Sequence, residues 1–293
     1  MQSLTVISER QACALVGVYR STLRYQSRLP GQADGLSARI VELAQERRRF
    51  GYRRIHALLR REGVEVNHKR VYRLYRAAEL AVKRRKRRKG VMVPREPLAL
   101  PTKRNEVWSM DFVMDALVTG RRIKVWTVVD GCAKKAVDLV ADFGIPGHYF
   151  ARILDQVARF RGYPKAVRTD QGPEFTGRAL DQWAYLHGVQ LKLIQPGKPT
   201  QNALIESLNG KFREECQNVH WFHTLEHARV IINQWRVDYN ECRPHSMLGY
   251  ETLAEIAEIL RNHGGLNQMT TGINAGRRLA SHRTLCRSRK DRI

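Results

Sequence analysis

Apolar residues recur along this chain with two different periods, and the change from one to the other divides it. From Ser8 to Tyr75 the spacing is helical. Ser8 stands three residues before Gln11, the pairing of a capping box, and Ala12, Leu15 and Val16 follow before Gly17 breaks the pattern. Residues 21–25 begin a second short helix. After Pro30 and Gly31, Ile40, Leu43 and Ala44 fall at helical spacing, followed by helical stretches at 52–59 and 67–75 with a break at Gly63. In the last of these Val71, Leu74 and Tyr75 make an apolar stripe, which leaves Lys69, Arg70 and Arg73 free to face outward. Helix, glycine turn and helix is the layout of a helix-turn-helix DNA reader, and it occurs twice, over residues 1–30 and 36–80.

From Glu106 the pattern shifts. Residues 107–113, 123–129 and 136–140 read as strands, with a turn at Gly120. Phe150, Ile153, Leu154 and Val157 fall at i, i+3, i+4 and i+7 and predict a helix. A strand ending at Asp170, a helix over 178–187, a half-buried strand carrying Val189, Leu191 and Leu193, and a helix around Glu206 complete the series. Three strands, helix, strand, helix, strand, helix implies an α/β domain whose mixed sheet is covered by helices on both faces. In the first strand Trp108, Met110, Phe112 and Met114 share an apolar face that should pack under helices, and Ser109, Asp111 and Asp115 point the other way. Asp115 lies about 13 Å along from Asp111 and reads as a surface or turn acid.

Charge adds a partner. The 52 Lys and Arg against 28 Asp and Glu give a formal charge of +24 and a pI of about 10.5. That excess points to a polyanion, above all nucleic acid. Every residue from Lys83 to Lys89 is basic, and Pro94, Pro97 and Pro101 follow, so 81–104 reads as an exposed linker able to touch phosphates without regard to sequence. No apolar run approaches the ~20 residues of a membrane span, and no signal peptide is visible. The five cysteines are scattered without a Cys-x-x-Cys, which fits reduced thiols in the cytoplasm. His220, His223 and His227 lack paired cysteines and read as packing or phosphate contacts rather than zinc ligands.

Three acids carry the chemistry. Asp111 sits within a strand, Asp170 closes a strand, and Glu206 lies on a helix. Two strand carboxylates and one helix carboxylate form an all-oxygen set suited to a pair of Mg²⁺ or Mn²⁺ ions, and on so basic a chain this reads as a nucleotidyl-transfer site. Asn202, Glu206, Asn209 and Arg213 fall at i, i+4, i+7 and i+11, so one polar stripe would face a cleft beside the apolar stripe of Ile205, Leu208 and Phe212. Arg213 is positioned to hold a phosphate near the metals.

Taken together, these residues resemble the second-reading-frame products of bacterial insertion sequences, transposases with a retroviral-integrase-like core. Between Asp170 and Glu206 lie 35 residues, the family's spacing, and Arg213 takes its basic position seven residues after the glutamate. The likeness extends to residues 50–55 (including Arg53 and Arg54), 67–72, 196–202 and 235–246, and covers about 8–258. It departs from many relatives at Gln171 and Leu253. The resemblance implies an RNase H-like core over 105–258 with Asp111, Asp170 and Glu206 as catalytic metal ligands. It implies cleavage at an element end followed by attack of the freed 3′-OH on a second phosphodiester. It further implies double-stranded DNA as partner, contacted through Arg53, Arg54, Lys69, Arg70, Arg73, Asn202, Asn209 and Arg213. An upstream-frame protein or frameshift fusion, a homo-oligomer on DNA and a bacterial nucleoid location complete what it implies. The basic tail over 259–293 receives no role. The alternatives are a non-enzymatic DNA-binding derivative of a transposase and an RNase H-like nuclease.

Overall fold

The structure, a computed structural model, describes residues 8–24, 33–82, 101–170, 172, 175, 177–194 and 202–262. The basic run from Lys83, Gln171, residues 196–201 and the tail beyond 262 lie outside the described residues.

The N-terminal helices form as the spacing predicts. Ser8 caps α1 (Glu9–Val16) through a reciprocal capping box with Gln11, and Gly17 ends it in the left-handed conformation at φ 68°. α2 (Arg20–Leu23) follows, tied to α1 by the two-point Arg24–Glu9 pair at 2.8 and 2.9 Å. Three further helices, α3 (Ala33–Glu46), α4 (Tyr52–Arg61) and α5 (His68–Ala77), close around their own small core of Ile40, Leu43, Phe50, Ile55, Leu59, Val71 and Tyr75. Asn67 caps α5 by accepting the Lys69 N–H at 2.9 Å.

The second unit is the expected mixed sheet. Its strands are β1 (Val107–Ala116), β2 (Arg122–Asp130), β3 (Ala136–Asp142), β4 (Ala166–Thr169) and β5 (Gln190–Leu193), in the order β3-β2-β1-β4-β5. β1, β2 and β3 run antiparallel in sequence, whereas β4 and β5 join parallel to β1. The parallel joins need crossovers, and α6 (Gly147–Arg161) and α7 (Arg178–His187) supply them. These two helices cover one face through Phe150, Ile153, Leu154, Leu180 and Trp183, packed on Trp108, Met110 and Trp126. The other face carries α8 (Ala203–Phe212), a π-helical continuation (Arg213–Gln217) and α9 (Leu225–Glu241), with Ile205, Leu208, Phe212, Ile232 and Trp235 set on Val113, Val125 and Val129. Asn240 of α9 pairs with Ala136 like a strand residue, donating to its carbonyl at 2.8 Å and accepting its N–H at 2.9 Å. α10 (Leu253–Asn262) follows a second capping box between Thr252 and Glu255.

Three expectations change. Met114 is 55% exposed, because β1 runs on past the cover of α6 and α7. Leu193 is also exposed, since β5 is an edge strand. Asp115 is half-buried rather than a surface acid: one oxygen accepts the Ala116 N–H at 2.8 Å, and the other is buried without a partner among the described residues.

The helical unit rests on the α9 side of the core through arginines. Arg47 makes a two-point pair with Asp238, one arm at 2.6 Å. Arg61 reaches Glu255 at 2.7 Å and the Tyr250 carbonyl at 3.3 Å.

Candidate active site

Sheet register brings the two aspartates together. β1 and β4 pair as Val107↔Ala166, Trp108↔Val167 and Ser109↔Arg168. Carrying that register on by two residues sets Asp170 level with Asp111, one strand away, at an interstrand spacing of about 4.8 Å. Asp111 is half-buried in mid-strand, and Asp170 is exposed just beyond the end of β4, accepting the Gly172 N–H at 3.1 Å.

Glu206 enters from the first turn of α8, exposed, while Ile205, Leu208 and Phe212 anchor that helix on the sheet as predicted. Burial pushes the Asp111 carboxyl up from its ordinary value, and the charges of Asp170 and Glu206 push it further; the Phe112 N–H and the Asn209 amide oppose them. Asp111 therefore lies in the field of both Asp170 and Glu206. Among the described residues no three His, Cys, Asp or Glu side chains are gathered tightly enough to hold a metal as they stand.

Asn209 links the helix to the strand. Its Nδ2 donates to Asp111 Oδ2 at 2.8 Å, and its Oδ1 accepts from the Thr127 hydroxyl at 2.9 Å. Thr127 is the cross-strand neighbour of Asp111 and also lies 3.2 Å from its carbonyl. Phe112 N–H donates to the other carboxylate oxygen at 2.7 Å. Both ends of the Asn209 amide are thus engaged inside the protein, and the residue is 8% exposed, so it orients Asp111 where the sequence reading had it touching DNA.

The predicted polar stripe accordingly divides. Asn202 is buried, its Oδ1 without a partner among the described residues, Asn209 is buried, and of the four only Glu206 and Arg213 are exposed. Asn202 precedes the first helical turn with non-helical ψ 6°, and from Arg213 the helix winds as π, so the 3.6-residue period holds only between them. Of the other predicted contacts, Arg53, Lys69 and Arg73 are exposed and Arg70 is half-buried. Arg54 is turned inward, 3.5 Å from Glu215 and 5.1 Å over the Phe50 ring. Thr127 escaped the sequence reading, since only the strand register reveals it. The His223 and His227 rings lie tilted to one another with centroids 5.5 Å apart.

Comparison with known proteins agrees with this geometry. Residues 101–199 and 187–252 match models of the integrase core domain, and residues 32–88 match an HTH-like domain. A 31.7 kDa protein of insertion element IS407 from Burkholderia multivorans is 67% identical over 86% of this chain and 91% of its own length. A 39.2 kDa protein of IS476 from Xanthomonas euvesicatoria is 52% identical over 90% of this chain and 76% of its own. The transposase InsK of IS150 from Escherichia coli, described as putative, is 27% identical over 76% of this chain and 84% of its own. No helix among the described residues is long and apolar enough to cross a membrane. With likeness at this level along nearly the whole of both chains, the protein belongs to the insertion-sequence transposase family with an integrase core domain and serves transposition.

Proposed function

We propose that this chain cuts the ends of its element and joins the freed 3′ ends to target DNA, with Asp111, Asp170 and Glu206 as the catalytic carboxylates. The observation that carries the reading is the β1–β4 register, which carried on by two residues sets Asp170 beside Asp111, with Glu206 entering from the first turn of α8. Three carboxylates form an all-oxygen donor set of the kind that suits a hard divalent cation, Mg²⁺ or Mn²⁺. A pair of such ions, when bound, would activate the attacking oxygen and stabilise the leaving one.

The chain's own residues have separate tasks. Asp111 is held in one orientation by Asn209 and the Phe112 N–H, so its free lone pairs aim consistently. Asp170 and Glu206, both exposed, complete the set from the strand end and the helix. Arg213, exposed at the start of the π turn, is placed for a phosphate. Lys69, Arg70, Arg73 and Arg53 contact the phosphate backbone of duplex DNA from α5 and α4. The units are a first helix pair (1–30), a second helical unit (36–80), a linker (81–104), the core (105–258) and a basic tail (259–293). Joining two ends needs more than one copy on DNA, and an upstream-frame protein or fusion supplies further end recognition.

The test is a labelled duplex carrying the element's end, incubated with Mg²⁺ and wild type or Asp170→Asn. Nicking and joining should vanish in the variant while binding persists. Joining by the variant at the wild-type rate would refute the assignment.

A further inference from the structure

A second group of charges lies where the helical unit meets the core, one to two turns beyond Glu206. Ser207 and Lys211 stand one turn apart on α8, and Glu215 follows in the π turn. Lys211 Nζ donates to Ser207 Oγ at 2.6 Å and to the Ser207 carbonyl at 3.2 Å. Glu215 is gripped by Arg243 of the core at 2.8 and 2.6 Å, and is met by Arg54 of α4 at 3.5 Å. Phe50 lies beneath both guanidiniums, at 5.1 Å from Arg54 and 5.8 Å from Arg243.

The charges here do not balance. Glu215 is shared by Arg54 and Arg243, and Arg243 takes the short two-point contact. Arg54 is left with the long one, and Lys211 donates to two neutral oxygens. Cations desolvated without matching carboxylates are costly, and an incoming anion relieves that cost. The titration behaviour agrees. Burial, then repulsion from Arg243, Arg54 and Lys134, brings the Lys211 amine down to about 8 against the pull of Glu215, and burial and Arg243 lower Arg54.

We propose that Arg54 and Lys211 form a phosphate site at the seam between the helical unit and the core, filled by a backbone phosphate of bound DNA. The proposal rests on the DNA-joining function above and deepens it. Lys211 stands five residues after Glu206 on the same helix, about 7.5 Å along its axis and about 140° around it. One DNA strand would thereby tie the helical unit to the helix that carries Glu206.

The test is duplex binding by the full chain across a salt series. Lys211→Gln and Arg54→Gln should each lower the slope of log K against log salt by about 0.9, the amount for one phosphate contact. The double variant should also lose about 0.9 rather than twice that, since both side chains hold the same phosphate, and Lys211→Arg should keep the wild-type slope. Arg73→Gln, on α5, is the reference for ordinary DNA contact. If Arg73→Gln flattens the slope and Lys211→Gln does not, the seam site is overturned and the DNA reading stands. If none of the variants changes the slope, both fall. A second arm compares melting in inorganic phosphate with chloride at equal ionic strength. If phosphate stabilises wild type and not Lys211→Gln while the DNA slope is unchanged, the site takes a free anion and the DNA assignment is overturned.

Discussion

Replacing Asn209 by alanine tests whether α8 sets the orientation of Asp111. The change removes the 2.8 Å bond to Asp111 Oδ2 and the acceptor for Thr127, whose hydroxyl keeps the Asp111 carbonyl at 3.2 Å. A hydrogen bond to a charged group contributes about 1.5–3 kcal/mol, and the Thr127 bond is partly replaced, so stability should fall by about 2 kcal/mol. For a chain of this size that is a drop of about 4–8 °C in melting temperature. Residues that orient a metal ligand cost about 10–100-fold in metal affinity or activity when changed. The assay is strand joining as a function of Mg²⁺ concentration, with DNA binding measured alongside. We expect a joining rate reduced about 10–100-fold, a Mg²⁺ midpoint moved upward and unchanged duplex affinity. Asn209→Asp should be worse, because it faces Asp111 with a further carboxylate. Wild-type joining at limiting Mg²⁺ by Asn209→Ala, in folded protein, would refute the reasoning.

Other predictions follow from the packing. His245 donates from Nε2 to the Tyr239 carbonyl and turns Nδ1 to Arg243, and burial followed by nearby cations lowers its pKa to about 4 despite that bond. The unfolded chain takes up this proton first, near pH 6.5. Stability should therefore be full above that pH and decline by up to about 3 kcal/mol toward pH 4. Denaturation of wild type and His245→Gln at pH 7.5 and 4.5 should show the gap closing on acidification, and a constant gap contradicts it. A double-mutant cycle on Arg47→Ala and Asp238→Ala should give a coupling of about 1–2 kcal/mol, whereas additivity would mean the pair does not hold the helical unit to the core. Asn240→Ala should lower the urea midpoint by the equivalent of about 2 kcal/mol with the slope unchanged, since it strips two bonds from Ala136; an unchanged midpoint would contradict that role.

Periodic local signals translated well from sequence to structure. The Ser8–Gln11 box, the Phe150–Leu154 face of α6 and the span of α7 were all legible, because each depends on neighbours within one or two turns. The three acids were legible as residue types at strand and helix positions. Their alignment was not, because it depends on the parallel register of β4 against β1. Met114, Leu193 and Asp115 were misread for a related reason: strand parity gives a face but not how far the covering helices reach. The polar stripe of α8 was drawn on a regular helix, whereas the chain is non-helical at Asn202 and winds as π from Arg213. The inward turn of Arg54 toward Glu215 was not legible, because that partner lies 161 residues away. Contacts at that separation leave no trace in one sequence.

The central claim is that Asp111, Asp170 and Glu206 act as one metal-dependent site for cutting and joining DNA. It is tested most directly by nicking and joining of a labelled element end in Mg²⁺, with wild type against Glu206→Gln, each also as the fusion with the upstream frame. Wild type, alone or fused, should nick at the terminal nucleotide and join the new 3′ end, and Glu206→Gln should bind equally well and do neither. A Glu206→Gln protein that joins ends at the wild-type rate, or a fused wild type that binds ends without cutting them, would contradict the account.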